Sequence, residues 1–400
     1  MAWTAALRPA AVRRPPNLRR MSARCGLMEP MEPSARETSA QAQALINWEL
    51  AASTAARLAP AGPVLGSAEI GAAVDNLRLM ADISVPHVHD ITGLEAARDL
   101  RDSSVLVVDR ASWSKANTQS FAVMLQPAME KMLESRSGTI NPGTASVSGA
   151  ITGSQLGAIL AFLSSKVLGQ YDPFSALAEN STAPAGGRLL LVAPNIISVE
   201  REINVEPEDF RLWVCLHEQT HRVQFAAAPW LRHHMLEEID SLSGQLLGNV
   251  DSLMERASAA AKSLKDRSAS APSRGAILDL LQNPEEKAAI SRLTALMSLL
   301  EGHANVVMDA VDSSIVPSVK TIRQRFNSRA QDRGVIEKFI RSLLGLDAKM
   351  RQYSDGSKFV REVVDVAGME GFNRVWESAD HLPTEAEIHN SRLWLERMGH

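Results

Sequence analysis

Two cysteines in four hundred residues, Cys25 and Cys215, cannot build a disulfide framework, and the thiols are expected to stay reduced, as in the cytoplasm. Aromatic residues make up 4% of the chain and include two tyrosines, Tyr171 and Tyr353, which leaves little for stacking on nucleobases. A formal charge of −4 gives no cationic surface for a phosphate backbone, so no nucleic-acid partner is expected. No apolar stretch of about 18 residues is read in the chain, and no membrane partner is expected. What remains is an ordinary globular composition, 45% hydrophobic and 22% charged, enough for one large domain or two subdomains.

The first forty residues stand apart. Arg8, Arg13, Arg14, Arg19, Arg20 and Arg24 come with no acid before Glu29, among prolines and alanines. That composition lacks the apolar centre of a secretory leader, and Pro9, Pro15 and Pro16 spoil an amphipathic helix. The stretch reads as a disordered basic extension, with Met21, Met28 and Met31 as alternative starts. The organisation expected from there is one domain over 41–390, with a possible boundary near 137–150, and a tail over 391–400.

The residues that carry chemistry lie between Pro207 and Trp230. His217, Glu218, Gln219, Thr220 and His221 form an H-E-x-x-H motif. Pro207 suits a first helical turn, Glu208 and Asp209 place acid where the helix dipole favours it, and neither Gly nor Pro interrupts the run before Pro229. On a helix, two histidines four apart project from one side and can share a metal ion. The glutamate beside them can reach a metal-bound water as general base. Apolar neighbours on most sides predict a buried helix, where two imidazoles and a carboxylate need partners that a metal supplies. Cys215, two residues before His217, points to another face and reads as a small buried hydrophobe.

A catalytic zinc takes three protein ligands and keeps a fourth position open. The metzincin continuation needs a glycine and then a histidine, and Gln224 and Ala227 occupy those places. The third ligand is therefore sought on a second helix, expected over Glu285 to Val311, whose apolar stripe repeats with the helical period. Glu301 falls at the edge of that stripe and is the candidate. Asn305, one turn on, faces nearly the same way and is expected to orient a ligating imidazole. His303 lies about 160° around the helix from Glu301 and is not expected to join the coordination.

Elsewhere the pattern is coarser. A helix is expected from Asn47 through Ala59 and another over Ser67 to Asp82, followed by a Pro-marked loop carrying His87 and His89. Val105 to Val108 reads as a short strand or a helix lead-in. Ser112 to Ser135 reads as a long helix that Pro127 kinks or splits. The stretch 137–150, rich in Ser, Thr and Gly, reads as a linker, and Gly153 to Leu168 as a tightly packed small-residue helix. Leu189 to Val192 reads as a buried strand. His233 and His234 open a further helix. Lys320, Arg323, Arg325, Arg329 and Arg333 read as a solvated basic face.

Seven blocks resemble a known family. NWELAASTAARL (47–58), VVDRASWSKAN (107–117), GSQLGAILAFLSSKVLGQYDPF (153–174), LLLVAPNI (189–196), FRLWVCLHEQTHRVQF (210–225), LLEGHANVVMDAV (299–311) and KMRQYSDG (349–356) follow the order of the zincin-like metallopeptidases of type 2, a family associated with coenzyme biosynthesis. The resemblance implies a mainly α (α+β) zincin fold with a small sheet and two subdomains flanking a cleft. It also implies one Zn2+ on His217, His221 and Glu301, with Glu218 as base. Asn305 departs from the pattern, standing where related glutamate zincins often carry Asp. Zincins of this kind place an edge strand over the zinc, for which Leu191 to Asn195 is the candidate rim. A zinc peptidase also needs a donor for the oxyanion. Tyr353 and Arg351 are the candidates, with His303 and His381 in reserve. The activity implied is hydrolysis of a peptide or protein substrate. The alternative is a zinc-stabilised scaffold of little turnover beside a cofactor pathway.

Overall fold

The computed structural model describes residues 41–42, 45–135, 142–178, 181, 184–248, 284–331 and 353–400. Helix α1 (Trp48–Leu58) is capped by the Asn47 side chain, which accepts from the Leu50 N–H at 2.8 Å. Helix α2 (Ser67–Thr92) leads to strand β1 (Ser104–Val108), and helices α3 (Arg110–Ser135) and α4 (Pro142–Ser164) follow. Strands β2 (Gly169–Asp172) and β3 (Arg188–Val192) complete the sheet. Then come α5 (Ala193–Glu202), α6 (Pro207–Ala227), α7 (Leu231–Gly248), α8 (Pro284–Ala310), α9 (Val319–Gln331), α10 (Tyr353–Asn373), α11 (Glu385–His389) and α12 (Ser391–Met398). The fold is mainly α with one small mixed sheet, as expected.

The sheet order is β1-β3-β2, with β1 and β3 parallel and β2 antiparallel to β3. Leu189 to Val192 are almost wholly buried, as befits a strand covered on both faces. Strand β3 is therefore central, and Leu191 to Asn195 is not a rim. The edge beside α6 is β2. Helix α6 packs on α2, α8 and β2. Its polar residues are bonded within that packing: Gln219 Nε2 donates to the Ala81 carbonyl at 2.8 Å, and Arg222 meets Asp102 and the Leu100 carbonyl. Cys215 is fully buried among apolar residues, as expected, and desolvation pushes its thiol far above the usual range.

Several local expectations give way to packing. Helix α2 continues through Pro86 to Thr92, so His87 and His89 are helical rather than in a loop. An internal proline costs about 3 kcal/mol, yet Val85 and Val88 bury beside it, each worth about 1.5–3 kcal/mol. Pro127 likewise lies within an unbroken α3. From Pro142 onward the stretch read as a linker is helical. The glycines of α4 serve contact instead of flexibility: a Cβ on Gly153 would sit 2.4 Å from the Asn47 carbonyl, and one on Gly157 2.5 Å from that of Ala51. Val147–Ser164 is, by length and composition, apolar enough to cross a membrane, which corrects the expectation that no such stretch exists; 33% of it is buried.

The basic run on α9 is not simply solvated. Arg323 donates to the Val311 carbonyl at 2.8 Å, Arg325 to that of Ile203 at 3.1 Å, and Arg329 pairs with Glu202 at 2.8 Å. Arg323 and Arg325 cover carbonyls just past the C-termini of α8 and α5, where orphan acceptors gather. Arg333 lies outside the described residues, as do residues 1–40 with Cys25. Residues 391–400, expected as a tail, carry α12, whose Trp394 is fully buried.

Helices α8 and α10 cross closely enough to exclude any side chain at two glycines. A Cβ on Gly302 would lie 2.4 Å from the Gly356 carbonyl carbon, and one on Gly356 2.0 Å from the Ser298 carbonyl oxygen. Gly302→Ala is accordingly expected to cost about 1–3 kcal/mol by overpacking and to loosen metal binding through its neighbour Glu301. Urea unfolding of the metal-free protein, with metal titration alongside, checks both.

Candidate metal centre

The two histidines of α6 stand one turn apart, with Nε2 atoms 3.3 Å from each other and rings nearly perpendicular at 87°. From α8, Glu301 brings Oε1 to 3.6 Å from His221 Nε2 and Oε2 to 3.8 Å from His217 Nε2. The side chains of all three are partly exposed, so the group faces an accessible recess. One ligand atom from each lies within 4.8 Å of the others. A tetrahedral zinc with bonds of about 2.0–2.1 Å would separate its ligand atoms by about 3.3–3.4 Å. The imidazole pair already has that spacing, and the carboxylate is a few tenths of an ångström wider. Two nitrogen donors and one carboxylate with an open side fit a zinc ion of the catalytic kind.

Glu218 sits beside this group against the edge strand. A Cβ on Gly169 would come within 2.6 Å of its Cγ and 2.9 Å of its Oε1, so the carboxylate rests where only glycine leaves room. Desolvation, with the Glu301 charge adding to it, pushes the Glu218 carboxyl up to about 8. Desolvation and the neighbouring His221 push His217 down to about 4, against the pull of Glu301. Without a cation these shifts favour a protonated Glu218 and a neutral His217. A divalent cation reverses that balance for the glutamate.

The structure thus brings His217, His221 and Glu301 together, with Glu218 beside them. Other assignments differ. The amide of Asn305 donates to Ser357 Oγ at 3.2 Å and serves no imidazole, because its face of α8 meets α10. The group that does meet a ligand is Gln224, whose Oε1 lies 3.0 Å from His221 Nδ1. Its spacing, three residues after His221 on one helix face, was a signal available from sequence. His303 stays out of the coordination group, as expected. It is fully buried, with Nδ1 engaged by Gln224 and its ring stacked on Phe372, so it is not placed to serve as an oxyanion donor. His381 is engaged with the Arg374 carbonyl at 2.8 Å. Arg351 lies outside the described residues, and so does the side chain of Tyr353, whose backbone opens α10. His233 and His234 sit in the first turn of α7, where His234 packs edge-on against Trp230.

A family model described as zincin-like metallopeptidase matches residues 46–395 of the chain. A solved structure from Chloroflexus aurantiacus, described as "a putative hydrolase with a novel fold", is 32% identical and superposes with a TM-score of 0.62. The alignment covers 88% of this chain and 99% of that one. No curated protein matches the chain.

Two desolvated histidines set an acid limit on the metal-free protein. Desolvation lowers His303 to about 3 and His217 to about 4, from an ordinary value of 6.5. Between those values and 6.5 the unfolded chain binds more protons, so their contribution is complete above 6.5 and is lost as pH falls. Glu218 acts in the opposite sense, favouring the fold below 4.5 and ceasing to do so as pH rises toward 8. His303→Gln is expected to lose less stability than wild type between pH 7 and pH 4, read from urea midpoints in the presence of chelator.

Proposed function

The chain belongs to the zincin-like metallopeptidase family, and on that premise we propose that it hydrolyses peptide bonds using one zinc ion held by His217, His221 and Glu301. The observation that supports this most is Glu218, desolvated beside a three-ligand group. A purely structural zinc site closes with a fourth ligand and has no use for such a residue. When bound, zinc would supply Lewis acidity, polarising a carbonyl and lowering the pKa of water toward neutrality.

The chain's own residues do the rest. Glu218 accepts the proton of the attacking water and returns it to the leaving amine, a task suited to a carboxylate whose proton affinity is tuned by burial. Gly169 gives that carboxylate its seat. The Val192 N–H donates to the Leu168 carbonyl at 2.8 Å, which makes Gln170–Leu190 the next bonded pair along the ladder. The backbone groups of Gly169 and Tyr171 then point away from β3, toward the outer edge. An extended peptide pairing with that edge would pass beside Glu218, which favours a peptide over a compact substrate.

Glu218→Gln is expected to keep zinc and to lose cleavage of a peptide library by at least about 100-fold, the scale of a lost general base. A variant as fast as wild type would remove Glu218 from the mechanism. Gly169→Ala is expected to hold zinc as tightly as wild type but turn over more slowly, since the new methyl displaces the carboxylate and no ligand. In wild type, chelation should abolish cleavage and added zinc restore it. Cleavage that is independent of peptide length would argue for a non-peptide amide instead.

A further inference from the structure

One fully buried side chain touches both helices that carry the ligands. Gln224, on α6, places Oε1 3.0 Å from His221 Nδ1. Its Nε2 lies 2.8 Å from the Leu300 carbonyl oxygen and 3.0 Å from His303 Nδ1. Leu300 immediately precedes Glu301 on α8.

We propose that Gln224 is a positioning residue that takes its orientation from the Leu300 carbonyl and thereby fixes the tautomer of His221 and the register of Glu301. The proposal rests on the reading that His217, His221 and Glu301 hold the metal. The chemistry runs in one direction. A backbone carbonyl can only accept, so the amide must turn its NH2 toward Leu300. The same NH2 faces His303 Nδ1, which accepts in turn and carries its ring proton on Nε2. A flipped amide would set oxygen against the carbonyl and lose its donor. With the NH2 committed, Oε1 faces His221 Nδ1 and needs a donor there, so the His221 proton sits on Nδ1. His221 Nε2 is then left with its lone pair, on the side where His217 Nε2 lies 3.3 Å away and Glu301 Oε1 3.6 Å away. A metal ligand requires that tautomer, and the group bonded to the far nitrogen selects it.

The bond to Leu300 ties α6 to α8 one residue before Glu301, and the contact with His303 ties them two residues after it. A bond at that point limits sliding or rotation of α8 relative to the histidine pair, which a contact farther along the helix would do less well. Phe372 and Trp376, at 5.2 and 5.3 Å between ring centroids, hold His303 from the other side. No other partner of His303 Nε2 appears among the described residues. The ring is thus anchored by packing and by its bond to Gln224, and it supports the amide without touching the metal group.

The tautomer can be read directly in the metal-free full chain by two-bond proton–nitrogen correlation of 15N-labelled histidines near pH 7. Wild-type His221 is expected to show a protonated Nδ1 and a bare Nε2; a proton on Nε2 would overturn the proposal without any variant. In Gln224→Leu, of similar volume, the two tautomers should mix, and zinc affinity measured against a chromophoric chelator should fall about 10–100-fold. His303→Phe should keep the single tautomer, because Leu300 still orients the amide; mixing there would overturn the role given to Leu300. If wild type takes up no zinc, the metal reading itself fails. If wild type binds and Gln224→Leu binds equally tightly, the positioning role alone fails.

Discussion

Two imidazoles and a carboxylate can meet around one ion only if two helices approach closely while carrying polar side chains toward each other. Helices α6 and α8 do so here, and much of the surrounding architecture serves that approach. Three buried polar residues of α6 are taken up by neighbours: Gln219 by α2, Arg222 by Asp102 and the Leu100 carbonyl, and Gln224 by α8. Leaving any one of them unmet would cost about 1–3 kcal/mol. The bonds therefore fix the azimuth of the helix as well as stabilise it, and the azimuth decides where His217 and His221 point.

Helix α8 is held from its other side by the glycine crossing with α10 and from its C-terminus by Arg323 of α9. These contacts bracket Glu301. The small sheet has a different part. With β3 buried at its centre, β2 is left as the edge that lies on α6, and Gly169 of that strand forms the wall against which Glu218 rests. The Glu218 carboxylate and the outer edge of the sheet are consequently neighbours for a single geometric reason.

Desolvation unites the electrostatics of the centre. It raises the proton affinity of Glu218 and lowers that of His217 and His303. In the absence of a cation these shifts oppose one another in their effect on stability across mildly acidic pH. A divalent ion would offset the repulsion between Glu218 and Glu301.

Much of the centre was legible in the order of residues. The interval of four between His217 and His221, with a glutamate between and helix signals on either side, is a local pattern whose outcome depends on helical geometry alone. Glu301 could be chosen because an acid beside an apolar stripe signals a paired or ligating group. The family blocks carried the fold class. What sequence could not decide were contacts between distant segments. Asn305 looked like the partner of an imidazole by its angle on the helix, but α10 lies on that face and Gln224 takes the role. Pro86 and the glycines of α4 carry the marks of breaks, yet burial of Val85 and Val88 and the close approach of α1 outweigh those marks. Strand β3 could be recognised by its apolar run, whereas its central position depends on which strands flank it. Local propensities amount to about 1 kcal/mol per residue, and a buried side chain or a bond across two helices is worth as much or more. Where the two disagree, the packed neighbour decides, and a neighbour is visible only in three dimensions.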